Sequence, residues 1–434
     1  MFEEDILRLA SAIREKVSNH KTEKSVPKRR VVRIRRRDFT LKYQDDFGFA
    51  NFPPTRIEED AWDWEDQERF AESVIKCLPE YESVASKVGA NLGAVDTFSR
   101  QVAIASLRGL SDGDMSDRAT TLGRELAGEP LAVKITAFIN GLSLSDSPLI
   151  VSDELVLRRP TEEDLAEYIL LDEHGGFSFP KGDTWFRVVG EFVFHCVSTG
   201  LAQTQLLRTL ESLRFFRVGG VAASRYEMRS GHSFLQGGGT RLFTPGQTSQ
   251  FKYTLSSDDA AALAEFIRGV APIVPDPLGG TKTEPAEIAC ARYSAGLFHS
   301  GPSEEVATSA ITALEALFLK REERSELSHR LAQRISVFLR VLGVQPDAVN
   351  TYKSIKKGYD IRSTYIHGGK VEQRDPKNIN DLVRLLLDFA RVSALAFLQI
   401  KASKTDLLDK LDESMIEPAS TRSLEALLAS VVHK

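Results

Sequence analysis

Tyr359-Asp-Ile-Arg362-Ser-Thr-Tyr-Ile-His367-Gly-Gly-Lys370 sets the reading of the C-terminal part of this 434-residue chain. Upstream, Tyr352, Ile355, Tyr359 and Ile366 fall three, four and seven apart, which makes one apolar helix face. Gly368 and Gly369 then supply the left-handed residues that end a helix, so His367 belongs to its last turn. A straight helix separates residues five apart by about 140° around its axis. A last turn that tightens or unwinds lets Arg362 and His367 face one target. The exposed carbonyls of such a turn attract positive charge, typically by about 0.3–1 kcal/mol at the surface. Spacing alone carries little weight, because Arg324-Ser-Glu-Leu-Ser-His329 repeats it at an expected helix start with no glycine stop behind it.

Working outward, the segment Val274-Pro-Asp-Pro-Leu-Gly-Gly280 breaks any regular element and marks a boundary. Beyond it the pattern is all-helical. Helices are expected at 285–298, from a Ser303 cap to Phe318, from a Ser325 cap to Leu342, and at 348–367 and 380–400, with terminal helices at 405–414 and 423–432. Short loops between long amphipathic helices predict an antiparallel up-down bundle.

Four blocks in order carry a family resemblance: Arg292-Tyr-Ser-Ala-Gly-Leu, Ile311-Thr-Ala-Leu-Glu-Ala-Leu-Phe318, Glu326-Leu-Ser-His-Arg-Leu-Ala-Gln-Arg334, and the block from Tyr359 to Gly369. Together they resemble the Apea-like HEPN domain over about residues 284–401. The last block holds the HEPN Arg-x4-His signature with its trailing glycine. Many HEPN ribonucleases place Asn, Asp or His directly after the arginine, where this chain has Ser363. Ile139-Asn-Gly-Leu-Ser-Leu and Leu213-Arg-Phe-Phe-Arg-Val-Gly-Gly220 more loosely resemble segments that precede this domain in related proteins.

Composition is that of an ordinary globular chain of two or three domains. The net charge of −5 means that any RNA site must be a local patch. Cys77, Cys196 and Cys290 are widely spaced and odd in number. They make neither a disulfide framework nor a zinc spacing, which fits a reducing cytoplasm. No apolar run is long enough to span a membrane, and Met1-Phe-Glu-Glu-Asp lacks a secretory signal's basic start.

The expected organisation is an N-terminal helix and basic arm (1–45), an α+β domain of unknown ligand (46–275), and an all-α C-terminal HEPN bundle (281–434, core about 285–401). Residues 5–17 read as an amphipathic helix, followed by a basic run from Lys21 to Lys42 that includes Arg35, Arg36 and Arg37. The acidic stretch Glu58–Asp66 reads as the first turn of a helix reaching about Cys77, or as a docking partner of the basic run. Further helices are expected at 95–107, 115–126 and 204–213. Strands are expected at 149–157, 185–194, 215–218, 223–228 and 251–255. Gly219-Gly220 and Gly237-Gly-Gly239 match no nucleotide-binding fingerprint and read as turns or a mobile loop. His174, His195 and His232 have no ligand spacing, so no metal site is assigned.

Metal-free RNA cleavage needs a base for the ribose 2′-hydroxyl, stabilisation of the phosphorane, and an acid for the leaving 5′-oxygen. His367 can move protons near neutrality, and the fork of Arg362 can grip phosphate oxygens. The resemblance implies a metal-independent endoribonuclease that needs no cofactor and leaves 2′,3′-cyclic phosphate ends. It also implies a homodimer through the bundle and a role in anti-phage defence or toxin-like growth arrest, with an antitoxin or defence-system partner. The alternative is an inactive HEPN module that dimerises and binds RNA or a protein. Glu315 is the candidate for holding an arginine; Ser363 and Tyr365 are supporting candidates. Lys356, Lys357 and Lys370 add positive charge around the pair.

The basic run generates a test of its own. If it is an RNA arm, replacing Arg35, Arg36 and Arg37 with Ser flattens the slope of log affinity against log salt by roughly 0.7 per lost phosphate contact. If it docks on the acidic stretch instead, the triple variant melts earlier and its salt slope is unchanged. Fluorescence anisotropy across a salt series, with a melt on the same sample, separates the two.

Overall fold

A computed structural model describes residues 3–19, 30–33, 39–43, 46–50, 56–59, 64–75, 78–107, 109–161, 164, 186–230, 234, 240–242, 249–276, 279–299, 301–368 and 376–433. The chain is mixed: helices first, then a small antiparallel sheet, then a C-terminal helical region. Arg35, Arg36, Arg37 and Lys370 lie outside the described residues, as do Cys77, His174, His232 and Gly237–Gly239.

The first helix, α1 (Glu3–Asn19), buries Ile6, Leu9, Ala10, Ile13 and Val17 along one side. That spacing is the helical period, and the face packs on α2 (Trp64–Ile75), α3 (Pro79–Val88), α4 (Leu92–Leu107) and α5 (Asp112–Leu126). Between α1 and α2 run β1 (Arg30–Arg33), β2 (Phe39–Tyr43), β3 (Asp46–Ala50) and β4 (Arg56–Glu59). β1 pairs antiparallel with β4, setting Arg30 opposite Glu59 and Val31 opposite Glu58. The middle of the basic run, Arg30–Arg33, therefore meets the acidic stretch strand to strand. Glu58 and Glu59 are in that strand rather than in a helix's first turn, and the helix begins at Trp64.

The strands of the next part begin with β5 (Leu131–Asn140), β6 (Leu142–Leu144), β7 (Leu149–Ser152), β8 (Leu155–Arg158) and β9 (Val188–Cys196). They continue, after α6 (Thr199–Phe216), with β10 (Ala222–Ser230), β11 (Thr240–Leu242) and β12 (Tyr253–Leu255). Among the described residues one six-stranded sheet runs in the order β11-β10-β5-β9-β8-β7, with antiparallel pairing throughout, while β12 pairs parallel with β6. Leu131, Val133, Ile135, Ala137 and Ile139 alternate onto one buried face of β5, as a period of two requires. That face is covered by Ala202, Leu206, Leu210 and Leu213 of α6 and by Leu263 of α7 (Ala260–Val270).

Three local expectations are corrected. Residues 149–157 are a hairpin turning at Asp153-Glu154, not one strand. Phe215 and Phe216 end α6 rather than start a strand. Their aromatic, β-forming composition is overridden because Phe215 is buried in the core of the C-terminal helices, while Leu206, Leu210 and Leu213 of the same helix are buried against the sheet. Gly219-Gly220 is no hairpin turn: an added Cβ would come within 2.3 Å of the Tyr253 ring at Gly219 and 2.2 Å of Ser249 Cβ at Gly220. Helix α7 was not anticipated from the sequence.

The C-terminal end of α6 joins the sheet to the helical region. A helix leaves its last carbonyls without partners. Here Tyr253 Oη donates to the Leu213 carbonyl at 2.7 Å, and Tyr293 Oη donates to that of Arg214 at 2.7 Å. Arg391 Nη1 donates to that of Phe215 at 2.8 Å. Phe215 and Tyr293 also pack ring to ring, with centroids 5.0 Å apart. Apolar burial continues across the Val274–Gly280 segment, since Phe215, Phe266, Val270 and Val274 share one core with the helices beyond it.

Those helices are α8 (Pro285–Leu297), α9 (Ser303–Phe318), α10 (Leu327–Val341), α11 (Ala348–Ile366), α12 (Pro376–Gln399), α13 (Lys404–Ile416) and α14 (Pro418–Leu428). Helix α9 is central, packing on α8, α10, α11, α12 and α13. Its Ala310, Ile311, Ala313, Leu314, Leu317 and Phe318 are fully buried, and each large apolar side chain so buried contributes about 1.5–3 kcal/mol. The N-caps differ slightly from expectation: Pro302 precedes Ser303, and Glu326, at a φ of 57°, takes the cap position expected of Ser325.

A buried ion cluster locks the end of the chain to this core. Arg334 is 1 % exposed. Its Nη2 lies 2.7 Å from Glu323 Oε1 and 2.7 Å from Asp412 Oδ2, and Nη1 donates to the Phe318 carbonyl at 2.8 Å. Burial pushes the Glu323 carboxyl up, but its hydrogen bonds from Arg334 and from the Lys320 N–H outweigh this and hold it below its usual value of 4.5. Glu323 therefore adds stability that is complete above pH 4.5 and is lost as pH falls through its lowered folded value. Arg334→Met leaves the buried Glu323 with only Arg330, 3.3 Å away, as a counter-charge and should cost up to about 3–5 kcal/mol in urea unfolding. Glu323→Gln should remove part of the acid-side fall in melting temperature.

Candidate functional site

Helix α11 is held at both ends. The Asp347 carboxylate caps its start by accepting the Asn350 N–H at 2.9 Å. At its finish, the His367 N–H donates to the Ser363 carbonyl at 3.1 Å and the Gly368 N–H to that of Tyr365 at 3.1 Å. Gly368 has a φ of 73°, the left-handed conformation the stop requires, and His367 is the C-cap. His367 is exposed at this tip, beside Ile366, which is itself 52 % exposed.

Mid-helix, Gly358 lets α11 close onto its neighbours. A Cβ there would stand 2.6 Å from Leu386 Cδ1 and 3.0 Å from Ile311 Cδ1. This close approach to α9 and α12 brings Arg362 over Glu315. Arg362 Nη2 lies 3.2 Å from Glu315 Oε2, and its guanidinium carbon is 5.7 Å from the Tyr359 ring centroid. Arg362 Nε is buried without a hydrogen-bond partner. Burial pushes the Glu315 carboxyl up, and the Arg362 charge partly offsets that. The arginine and its expected carboxylate are thus brought together, within the last two turns of the helix that His367 ends.

Other candidates are placed differently. The Tyr365 phenol donates to Glu305 Oε1, in the first turn of α9, and this bond raises the phenol's pKa above its usual value. Ser363 is half-buried and bonds His367 through its main-chain carbonyl. Lys356 Nζ stands 6.0 Å from the Tyr352 ring centroid, and Lys357 is exposed. His329, of the second Arg-x4-His copy, lies at the start of α10 with Nδ1 2.8 Å from Tyr352 Oη.

The sequence reading missed two residues beside this tip. His299, between α8 and α9, has Nδ1 2.8 Å from Glu305 Oε2, on the same carboxylate that takes the Tyr365 phenol. The Gly301-Pro302 turn between them was the available signal, but neither residue has a motif spacing. Among the described residues, no group of three or more His, Cys, Asp or Glu is arranged to hold a metal ion, and no helix is long and apolar enough to cross a membrane. Comparison of the chain with family models, with curated proteins and with solved structures finds no match in any of the three.

The Arg362–Glu315 pair makes a checkable prediction. Arg362→Ala leaves Glu315 as a buried carboxylate without its cation, which raises its pKa further. A carboxyl raised in the folded state costs stability as pH climbs through that value, so this variant should lose stability between acid and neutral pH. Adding Glu315→Gln should restore much of the loss. A double-mutant cycle in urea should give a coupling of about 1–2 kcal/mol.

Proposed function

We propose that this chain is a HEPN-type, metal-independent endoribonuclease. The observation that carries the reading is a fork-bearing arginine braced by a carboxylate, on the same helix terminus as an exposed histidine stopped by a left-handed glycine. Arg362 offers N–H groups to the two non-bridging phosphate oxygens and stabilises the charge that builds on them. Glu315 keeps that fork from swinging into solvent. His367 transfers a proton at the scissile bond. With one copy's histidine taking the 2′-hydroxyl proton and the second copy's histidine protonating the leaving 5′-oxygen, attack by the ribose 2′-oxygen gives a 2′,3′-cyclic phosphate and a 5′-hydroxyl end.

A homodimer through the C-terminal bundle fits the exposed apolar Ile366 beside His367, because two-fold pairing covers such a residue and sets two Arg/His pairs along one RNA. Cellular RNA as the target, with a role in defence or growth arrest under the control of a partner protein, follows from the family resemblance of the bundle.

Purified protein incubated with total tRNA and mRNA in EDTA should yield cyclic-phosphate ends. His367→Ala should lower the cleavage rate by roughly 10²–10⁴ with an unchanged melt. Arg362→Lys should also be damaging, since a point charge does not replace a fork. His329→Ala should be nearly silent. Binding of RNA without cleavage by the wild-type protein would instead identify an inactive module.

A further inference from the structure

We infer that the start of α11, where Tyr352 and Lys356 meet His329 of α10, is an RNA-binding subsite that holds one unpaired nucleotide of the substrate strand away from the scissile bond. The inference rests on the endoribonuclease reading and adds where the rest of the strand lies. It also gives a role to the second Arg-x4-His copy. Arg324 of that copy precedes α10 and His329 lies inside it, so the pair lacks the helix-terminal arrangement of Arg362 and His367.

The geometry is that of a stacking plate beside a charge. His329 Nδ1 lies 2.8 Å from Tyr352 Oη, and the two rings stand at 84° with centroids 5.9 Å apart. His329 is exposed, while Tyr352 is half-buried and packs on the helical core. The anchored phenol therefore fixes the orientation of an imidazole that stands on the surface. Lys356 Nζ is 6.0 Å from the centroid of the same Tyr352 ring. Unstacked bases pack on aromatic faces, those of histidine included, and lysine holds phosphate as a point charge. One nucleotide thus finds a partner for its base and another for its phosphate on a single aromatic support.

A track joins this subsite to the candidate cleavage site. Tyr352, Lys356, Tyr359 and Ser363 follow at four, three and four residues, which is one stripe of a helix, and each is half-buried. The stripe ends at the exposed Ile366 and His367, with the Arg362 guanidinium 5.7 Å from the Tyr359 ring centroid. Rings and cations therefore alternate from His329 to the tip. Tyr352 and His367 are about 22 Å apart along the helix axis, a span that a few nucleotides of single strand cover. Helix α11 sets Lys353, Lys356, Lys357 and Arg362 against Asp360 as its one acidic residue. In a chain of net charge −5, it is a local positive patch of the kind a phosphate backbone needs. An acidic peptide would use the lysines and leave the imidazole plate unstacked, so single-stranded RNA is the better fit. Pairing of two copies at Ile366 sets one such track on each side of the shared site.

The test uses the full chain and an uncleavable 2′-deoxy oligonucleotide of about ten nucleotides, with a fluorescent adenine analogue placed at successive positions. Wild type should quench the analogue at a position set back from the cleavage point. His329→Ala should lose that quenching and bind at least about fivefold more weakly. Tyr352→Phe, which keeps the ring and removes the phenol, should weaken binding at an unchanged melt. Lys356→Gln should lower the slope of log affinity against log salt by about 0.7. With a cleavable RNA of the same length, His329→Ala should raise KM by about the same factor as it weakens binding and leave kcat nearly unmoved, in keeping with its silence on saturating RNA. The preference of wild type for this RNA over a dinucleotide should shrink accordingly in the variant. Unchanged affinity and quenching in His329→Ala, with wild-type cleavage intact, would overturn the subsite and leave the nuclease reading standing. A fall in kcat at constant KM would overturn it by placing His329 at the chemistry, and weaker binding with quenching intact would overturn it in favour of plain charge attraction. Position-specific quenching that depends on His329, in a protein that cuts no RNA, would uphold the subsite and sink the nuclease reading alone.

Discussion

The end of α6 is the constraint on which the rest depends. Three successive carbonyls that a helix cannot satisfy internally are each taken by a long side chain from a different element: Tyr253 of the sheet unit, Tyr293 of α8 and Arg391 of α12. None of these donors reaches its acceptor unless sheet and helices are already in their final relation. Burial pushes both phenols up, which keeps them protonated as donors over the whole accessible pH range. Glu211 and Arg214 extend the joint, with Ser294 Oγ donating to Glu211 and the Arg214 guanidinium 4.6 Å from the Phe298 ring centroid. Phe298 immediately precedes His299, so the same helix end that docks the sheet also steadies the loop beside the candidate site.

Helix α9 plays the corresponding part on the other side. It contributes Glu305 in its first turn, Ile311 beneath Gly358 and Glu315 beneath Arg362. Three polar or close-packed contacts to α11 thus come from one buried helix, whose apolar stripe is fixed in the core. Placing Glu305 and Glu315 on a helix with a buried apolar stripe is costly in isolation. Each is offset by a partner on another element, which is why the arrangement orients side chains rather than merely stabilising the fold.

The C-terminal helices were legible because their apolar residues repeat at helical spacing over many turns, and the stop after α11 was legible because Gly368 must adopt a positive φ. Glu315 was found as the carboxylate under an arginine because it breaks an apolar face at Ala313-Leu-Glu-Ala-Leu317. The misreadings share one cause. Phe215 and Phe216 have the composition of a strand, and only the three-dimensional neighbours that bury them make them a helix end. The quoted segments Ile139–Leu144, Leu213–Gly220 and Arg292–Leu297 looked like separate landmarks. They meet at one place, with Gly141 so close to Gly220 that a Cβ would lie 2.1 Å from its carbonyl oxygen. His299 and Glu305 went unread because their meeting is made by a turn, not by a period.

The Arg334 cluster has a consequence for the time order in which the molecule is made. Asp412 is 78 residues downstream of Arg334, so a ribosome working at about 5–20 residues per second delivers it roughly 4–16 s later. Through that interval the guanidinium has only Glu323 as a counter-charge, and Leu407, Leu408 and Leu411, which close the core around it, have not yet been added. Arg362 and His367 are synthesised inside the same window. A newly made chain therefore carries Arg362 and His367 before it carries the helices that close the core around Arg334, and the complete packing of the helical region arrives as a late event in each molecule's synthesis.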